Sequence, residues 1–97
     1  MARFDVYRLG ATLVLDVQTN LLSGLNTRLV APLIPQRNAP ISAGRLNPVF
    51  EIDGQLYSLQ PQLIAAARRD APQGPVDNLL RHHDRIVAAL DMIFLGF

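Results

Sequence analysis

The stretch VFEIDGQLYSL, Val49 to Leu59, leaves the chain little choice of local fold. Asp53-Gly54 lies between two runs of alternating side chains and supplies the two positive-φ positions of a type I′ turn, so a β-hairpin is predicted here. The turn also sets the register. Phe50 should face Tyr57, Ile52 should share their face, and Glu51, Leu56 and Ser58 should point the other way. Both faces carry apolar side chains, which predicts a place in the middle of a sheet.

A second hairpin is expected at the start of the chain. Phe4 to Tyr7 and Ala11 to Gln18 are rich in β-branched, aromatic and alternating apolar residues, and Leu9-Gly10 offers a turn between them. Ala11, Leu13, Leu15 and Val17 fall on one face, and Thr12, Asp16 and Gln18 on the other with Val14 between them. After a polar loop over residues 19–27, Arg28 to Ile34 reads as a third strand. Its Pro32 lacks a ladder donor, which argues for an edge or a bulge. Residues 35–48 hold three prolines with Asn38, Ser42 and Gly44, and read as a loop packed by Ile41 and Leu46. Gln62 to Arg69 is helical by alanine propensity, whereas its length and the flanking Pro61 and Pro72 allow a strand.

A turn over Asp70 to Pro75 leads to a helix expected from about Val76 to Leu95, with Pro75 suited to its first position. Val76, Leu79, Leu80, His83, Ile86, Val87, Leu90, Ile93 and Phe94 recur at three- and four-residue intervals, and Asp77 and Arg81 form an i, i+4 pair. The solvent side begins as Arg81 and Arg85 but continues as Ala88, Met92 and Leu95. The last turns are therefore apolar all round, and a chain of 97 residues has little left to cover both sides. Another molecule or a second copy is implied.

Composition removes several function classes. Nine cations, all arginine, nearly cancel eight acids, so no field of one sign draws nucleic acid or an anionic membrane. Cysteine is absent, which excludes a disulfide framework, a thiol nucleophile and thiolate metal sites. MARFDVYRLG lacks an apolar run of signal-peptide length, and no stretch approaches the roughly 20 apolar residues of a membrane span. One domain over residues 1–97 in the cytoplasm, without a cofactor, is the expectation.

The polar constellations are sparse. His82 and His83 diverge by roughly 100° on a helix and cannot chelate one ion as an i, i+4 pair can. His83 falls on the apolar stripe as a satisfied core or boundary residue, and His82 on the solvated side. Asp84 and Asp91 are roughly 10 Å apart along a helix axis, too far for paired-carboxylate catalysis. Asp16 and Gln18 could seat a ligand or satisfy a neighbouring backbone. Arg68 and Arg69 beside Asp70 read as a solvated turn. Gly96 allows the left-handed conformation that ends a helix, and without a Cβ it also lets a partner approach. No serine lies in a nucleophile-elbow context and no phosphate-binding glycine loop is present, so no catalytic residues are assigned.

DVQT in the second strand, LVAPLIP in the third, LNPVFEIDGQLYSL, and a last helix closing on ALDMIFLGF occur in an order that resembles the CcdB family of plasmid and chromosomal toxins, over nearly the whole chain. The resemblance implies an α+β fold: an SH3-like, CcdB-type antiparallel β barrel-sheet with one long C-terminal helix. It places Gln62 to Arg69 in a strand. It also implies a homodimer that inserts helix tails into the A subunit of DNA gyrase, traps the cleaved-DNA complex as a poison and not an enzyme, and is neutralised by a CcdA-like antitoxin. The gyrase-binding residues carried over are Ala88, Asp91, Met92, Leu95, Gly96 and Phe97, with Thr19, Leu21 and Leu22 beside them. Family members typically end in tryptophan, glycine and isoleucine, where this chain has Leu95, Gly96 and Phe97, and often carry asparagine where it has Asp91. Two alternatives stand beside this: a homologue that has lost gyrase poisoning but still binds antitoxin or another target, and a MazF-like ribonuclease using Arg68, Arg69 and Asp70.

Overall fold

Gly10, at a φ of 62°, turns the chain between β1 (Asp5–Leu9) and β2 (Thr12–Asp16), a conformation that costs glycine nothing. The two strands pair antiparallel with Val6 opposite Leu15 and Leu9 opposite Thr12. The computed structural model describes residues 2–19, 24–39 and 44–96. Ile41, expected to pack the proline-rich loop, lies outside them.

The third strand, β3 (Thr27–Pro35), is not an edge. One side pairs with β2, Leu15 opposite Ala31. The other side is shared: β6 (Ala65–Arg68) takes Thr27 to Val30, and β5 (Gln55–Leu59) takes Leu33 to Pro35. Pro32 sits in the gap between these partners, where its carbonyl accepts the Gln60 N–H at 3.0 Å. A residue's N–H and C=O point to the same side of an antiparallel ladder, so the donor Pro32 lacks falls at the seam. The proline marks a change of partner, not a margin.

The hairpin of β4 (Val49–Ile52) and β5 has the expected register, Phe50 opposite Tyr57 and Ile52 opposite Gln55. Asp53 and Gly54 have φ values of 52° and 78°. Its place differs from the expectation. The strand order is β4-β5-β3-β2-β1-β7 with β6 beside β3, so β4 ends the sheet. Ala65 to Ala67 form a strand despite their helix propensity because β3 offers them a ladder, an instance of tertiary pairing overriding a weak local preference.

The helix also starts later than the spacing predicts. Residues 73–78 are a strand, β7 (Gln73–Asn78), pairing Asp77 with Val6 and Asn78 with Asp5. Pro75 lies in this edge strand, where a missing donor is tolerated. A 3-10 turn over Leu80–His82 follows, and then α1 (His83–Leu95). Leu80 N–H donates to the Asn78 side chain at 2.8 Å, so Asn78 closes the sheet and also starts the helical run.

The all-antiparallel sheet curls into a half-barrel over one helix, the α+β architecture expected. Its concave face carries Phe4, Val6, Leu13, Leu15, Leu33, Phe50 and Leu59, and onto these pack Leu79, Ile86 and Leu90 from the helical run. Each such side chain contributes roughly 1.5–3 kcal/mol on burial. A smaller cluster of Tyr7, Val14, Val30 and Ala67 occupies the other face.

Candidate functional site

The end of α1 is set in place from its beginning. Leu79 N–H donates to the Phe4 carbonyl at 2.8 Å, fixing where the chain leaves the sheet. Asp5 gathers the neighbouring donors: Asn78 Nδ2 at 2.8 Å, the Tyr7 hydroxyl at 3.1 Å and the Ala2 N–H at 3.0 Å. Burial, and then the Asp5 carboxylate, push the Tyr7 phenol up to about 12, so it remains a donor throughout the ordinary pH range. One turn on, Arg85 Nη2 donates to the Val49 carbonyl at 2.9 Å while its guanidinium lies 4.6 Å over the Phe50 ring. The His82 ring packs against the same phenylalanine at 4.9 Å. Phe50 thus holds two side chains of the helix entry.

The histidines exchange the roles expected of them. His82 is half-buried on Phe50, and His83 is exposed with its ring crossing that of Phe4 at a centroid distance of 5.7 Å. His83 keeps the phase of Ile86 and Leu90 but is the first residue of α1, where its ring meets Phe4 and stays largely in solvent. Burial, then Arg81 and Arg85, lower the His82 pKa below its ordinary value of 6.5.

Along α1, Ile86, Ala89 and Leu90 are buried and Ile93 is half-buried. Ala88, Asp91, Met92 and Leu95 follow the complementary i, i+3, i+4, i+7 spacing and lie on the opposite side of the helix. Periodicity groups Ala88, Met92 and Leu95, and the family resemblance adds Asp91, but the four differ in cover. Ala88, Asp91 and Met92 are half-buried, with Ala88 in a cleft beside Gly44, Arg45, Pro48 and Arg85. Leu95 is 59% exposed, and Phe94, expected in the core, is 67% exposed. Phe94 follows the inward stripe in sequence, but the helix has by then run past the sheet that covered Ile86 and Leu90.

Gly96 ends the helix at a φ of 81°, its N–H donating to the Met92 carbonyl at 3.2 Å. No basic residue lies in the last turn of α1, so the negative end of its dipole has no cation from its own helix. Of the other site residues carried over, Thr19 is half-buried at the end of the segment that follows β2. Leu21, Leu22 and Phe97 lie outside the described residues.

Several of the polar candidates read from the sequence have structural partners. Gln18 Oε1 accepts the Leu29 N–H at 3.1 Å, and Asp16 receives Arg28, a buried ion pair the sequence reading missed. An arginine at the head of an apolar strand, twelve residues after an aspartate on the mixed face of β2, was its only signal. Arg68 and Asp70 pair with each other in solvent at 3.0 Å. They line a cavity of about 440 Å³ with Asn26, Thr27 and Arg69.

A curled antiparallel half-barrel with one C-terminal helix, whose last turn rises apolar from the sheet, defines a narrow structural class. The family profile described as CcdB protein matches residues 3–96, and the chain belongs to that family. It is accordingly a CcdB-type toxin of a toxin-antitoxin system. No curated protein matches the chain.

Proposed function

We propose that this toxin acts as a homodimer whose paired helix tails bind the A subunit of DNA gyrase and trap the cleaved-DNA complex, and that a CcdA-like antitoxin neutralises it. The observation that carries this reading is the uncovered end of α1, with Phe94 and Leu95 in solvent immediately before a helix-ending glycine. An apolar helix end is costly to leave wet and gains on meeting a partner. Family members typically present a tryptophan where this chain has Leu95. Here Phe94 offers an exposed ring one position earlier, about 100° around the helix, able to stack on an arginine of the target. A partner cation there would also relieve the helix dipole.

Dimerisation is supported by a second apolar region. Leu29 and Ala66 lie directly opposite each other across β3 and β6, both exposed, with Leu25 exposed nearby in sequence. The action is stoichiometric and not catalytic. The test is a gyrase cleavage assay with purified protein: accumulation of cleaved, protein-linked DNA is expected, and unchanged supercoiling without cleaved product would overturn the reading.

A further inference from the structure

One ring holds the start of the helical run to the edge of the sheet. β4 ends the sheet, and Arg85 Nη2 donates to its Val49 carbonyl at 2.9 Å, a cap that keeps an edge strand from open pairing. Beside it the Phe50 ring, 2% exposed, carries the Arg85 guanidinium at 4.6 Å and the His82 imidazole at 4.9 Å, tilted by 40°. The imidazole makes no hydrogen bond among the described residues, so neither ring nitrogen has an acceptor that would hold a proton. The charges around it are mostly positive. Arg81 precedes it and Arg85 shares its ring, while Asp77 of β7, the acid that faces it, is already engaged by Arg81 at 3.5 Å. Asp84 lies in solvent and is bonded to His83 at 3.1 Å. Glu51 of β4 alternates to the other face of its strand, and Arg45 lines the neighbouring cleft and not this one.

We propose that His82, Phe50 and Arg85 form an acid-released clasp: a proton on the His82 imidazole drives that ring off Phe50 into solvent, and the first turn of α1 then loosens from β4 while the sheet stays folded. Neutral, the imidazole is a flat body that packs on the phenylalanine. Charged, it gives up water beside a guanidinium on the same buried ring, where like charges are poorly screened. The attraction of a cation for an aromatic face is already used by Arg85. A cavity of about 170 Å³ bounded by Arg81, His82, His83, Asp84 and Arg85 gives the ring a way out. Burial, then Arg81 and Arg85, keep it neutral to below 6.5, so the clasp is closed at neutral pH. Leu79, Ile86 and Leu90 still hold the run to the concave face, which confines the opening to its outer side. This goes beyond the gyrase reading and does not depend on it.

The test follows the whole protein by NMR from about pH 7.5 to about pH 4.5, a range that spans histidine titration. His82→Gln assigns the His82 ring signals and is the blank for carboxylates that titrate at the acid end. At neutral pH the Phe50 ring current should displace the His82 ring protons. That displacement should be lost with the same midpoint as protonation. Protection of the Ile86 and Val87 amides, which close the first turn of α1, should fall about ten-fold while Val14 and Leu15 in β2 keep theirs. Arg85 is exposed, so Arg85→Gln should keep the fold, and by removing one of the two repelling cations it should raise the midpoint. A displacement that persists once His82 is charged would overturn the proposal, as would equal loss of protection in α1 and β2, the mark of global unfolding. A midpoint unmoved by Arg85→Gln would overturn it too, since Arg85 would then not expel the charged ring. The same ten-fold loss in His82→Gln would assign the loosening to another group and sink the clasp.

Discussion

Arg28 holds Asp16 at two points, Nε to Oδ2 at 2.8 Å and Nη2 to Oδ1 at 2.9 Å, with both side chains fully buried. The pair ties β3 to β2 beneath the point where β6 joins β3. Removing one partner strands the other charge without water. Arg28→Met should therefore cost about 3–5 kcal/mol in denaturant unfolding, while the double replacement Arg28→Met with Asp16→Leu should cost less than that single change. A loss under about 1 kcal/mol for Arg28→Met would mean that the pair is not sealed from solvent.

The β4–β5 turn separates two neighbouring positive-φ residues. Gly54, at 78°, has open space around it, so Gly54→Ala meets no clash and should lose about 1 kcal/mol through backbone conformation alone. In a domain of this size that corresponds to a fall of roughly 4–8 °C in Tm. Asp53→Asn, which favours the same conformation, should change Tm little. A large loss from Asp53→Asn would point to a role for the carboxylate beyond the turn.

These two sites mark what a sequence can and cannot reveal. The hairpin register was legible because the turn fixes it through φ requirements within two residues. The Arg28 grip was not, since any arginine at a strand start reads as solvated until the covering strands are known. β7 was hidden for a similar reason: Asn78 bonds to Asp5 from 73 positions away, and Val76, Leu79 and Leu80 happen to keep helical spacing through a strand and a 3-10 turn. At the tail, the outward grouping of Ala88, Met92 and Leu95 follows from helix periodicity. The exposure of Phe94 does not, because it depends on where the sheet stops.

His82 gives the fold a pH dependence. Its pKa is held down by burial against Phe50, then by Arg81 and Arg85, with Asp77 opposing. The neutral ring is therefore the form that the fold favours. Above 6.5 both folded and unfolded histidine are neutral and the fold keeps its full stability; as pH falls below 6.5 the unfolded chain takes up the proton first, and stability declines until the folded ring is also charged. His82→Gln should flatten the stability profile below about pH 6.5 relative to the parent protein, measured by urea unfolding. Identical slopes for the two proteins would show that His82 titrates freely.

The helix tail should separate activity from stability. Phe94 and Leu95 are mostly in solvent, so Phe94→Ser and Leu95→Asp should each change unfolding free energy by no more than about 0.5 kcal/mol. If the tail is the docking surface, either change should relieve growth inhibition on expression, and removing residues 95–97 should abolish it with the fold intact. Leu80→Ser supplies the contrast. Leu80 is 58% exposed, as apolar as Leu95, and sits at the other end of the helical run. Its replacement should leave toxicity unchanged, because a general effect of surface hydrophobicity would move both variants together whereas a docking site distinguishes them. Should the truncated protein still kill, or should Leu80→Ser relieve toxicity as fully as Leu95→Asp, the uncovered end of α1 would not be what the target binds.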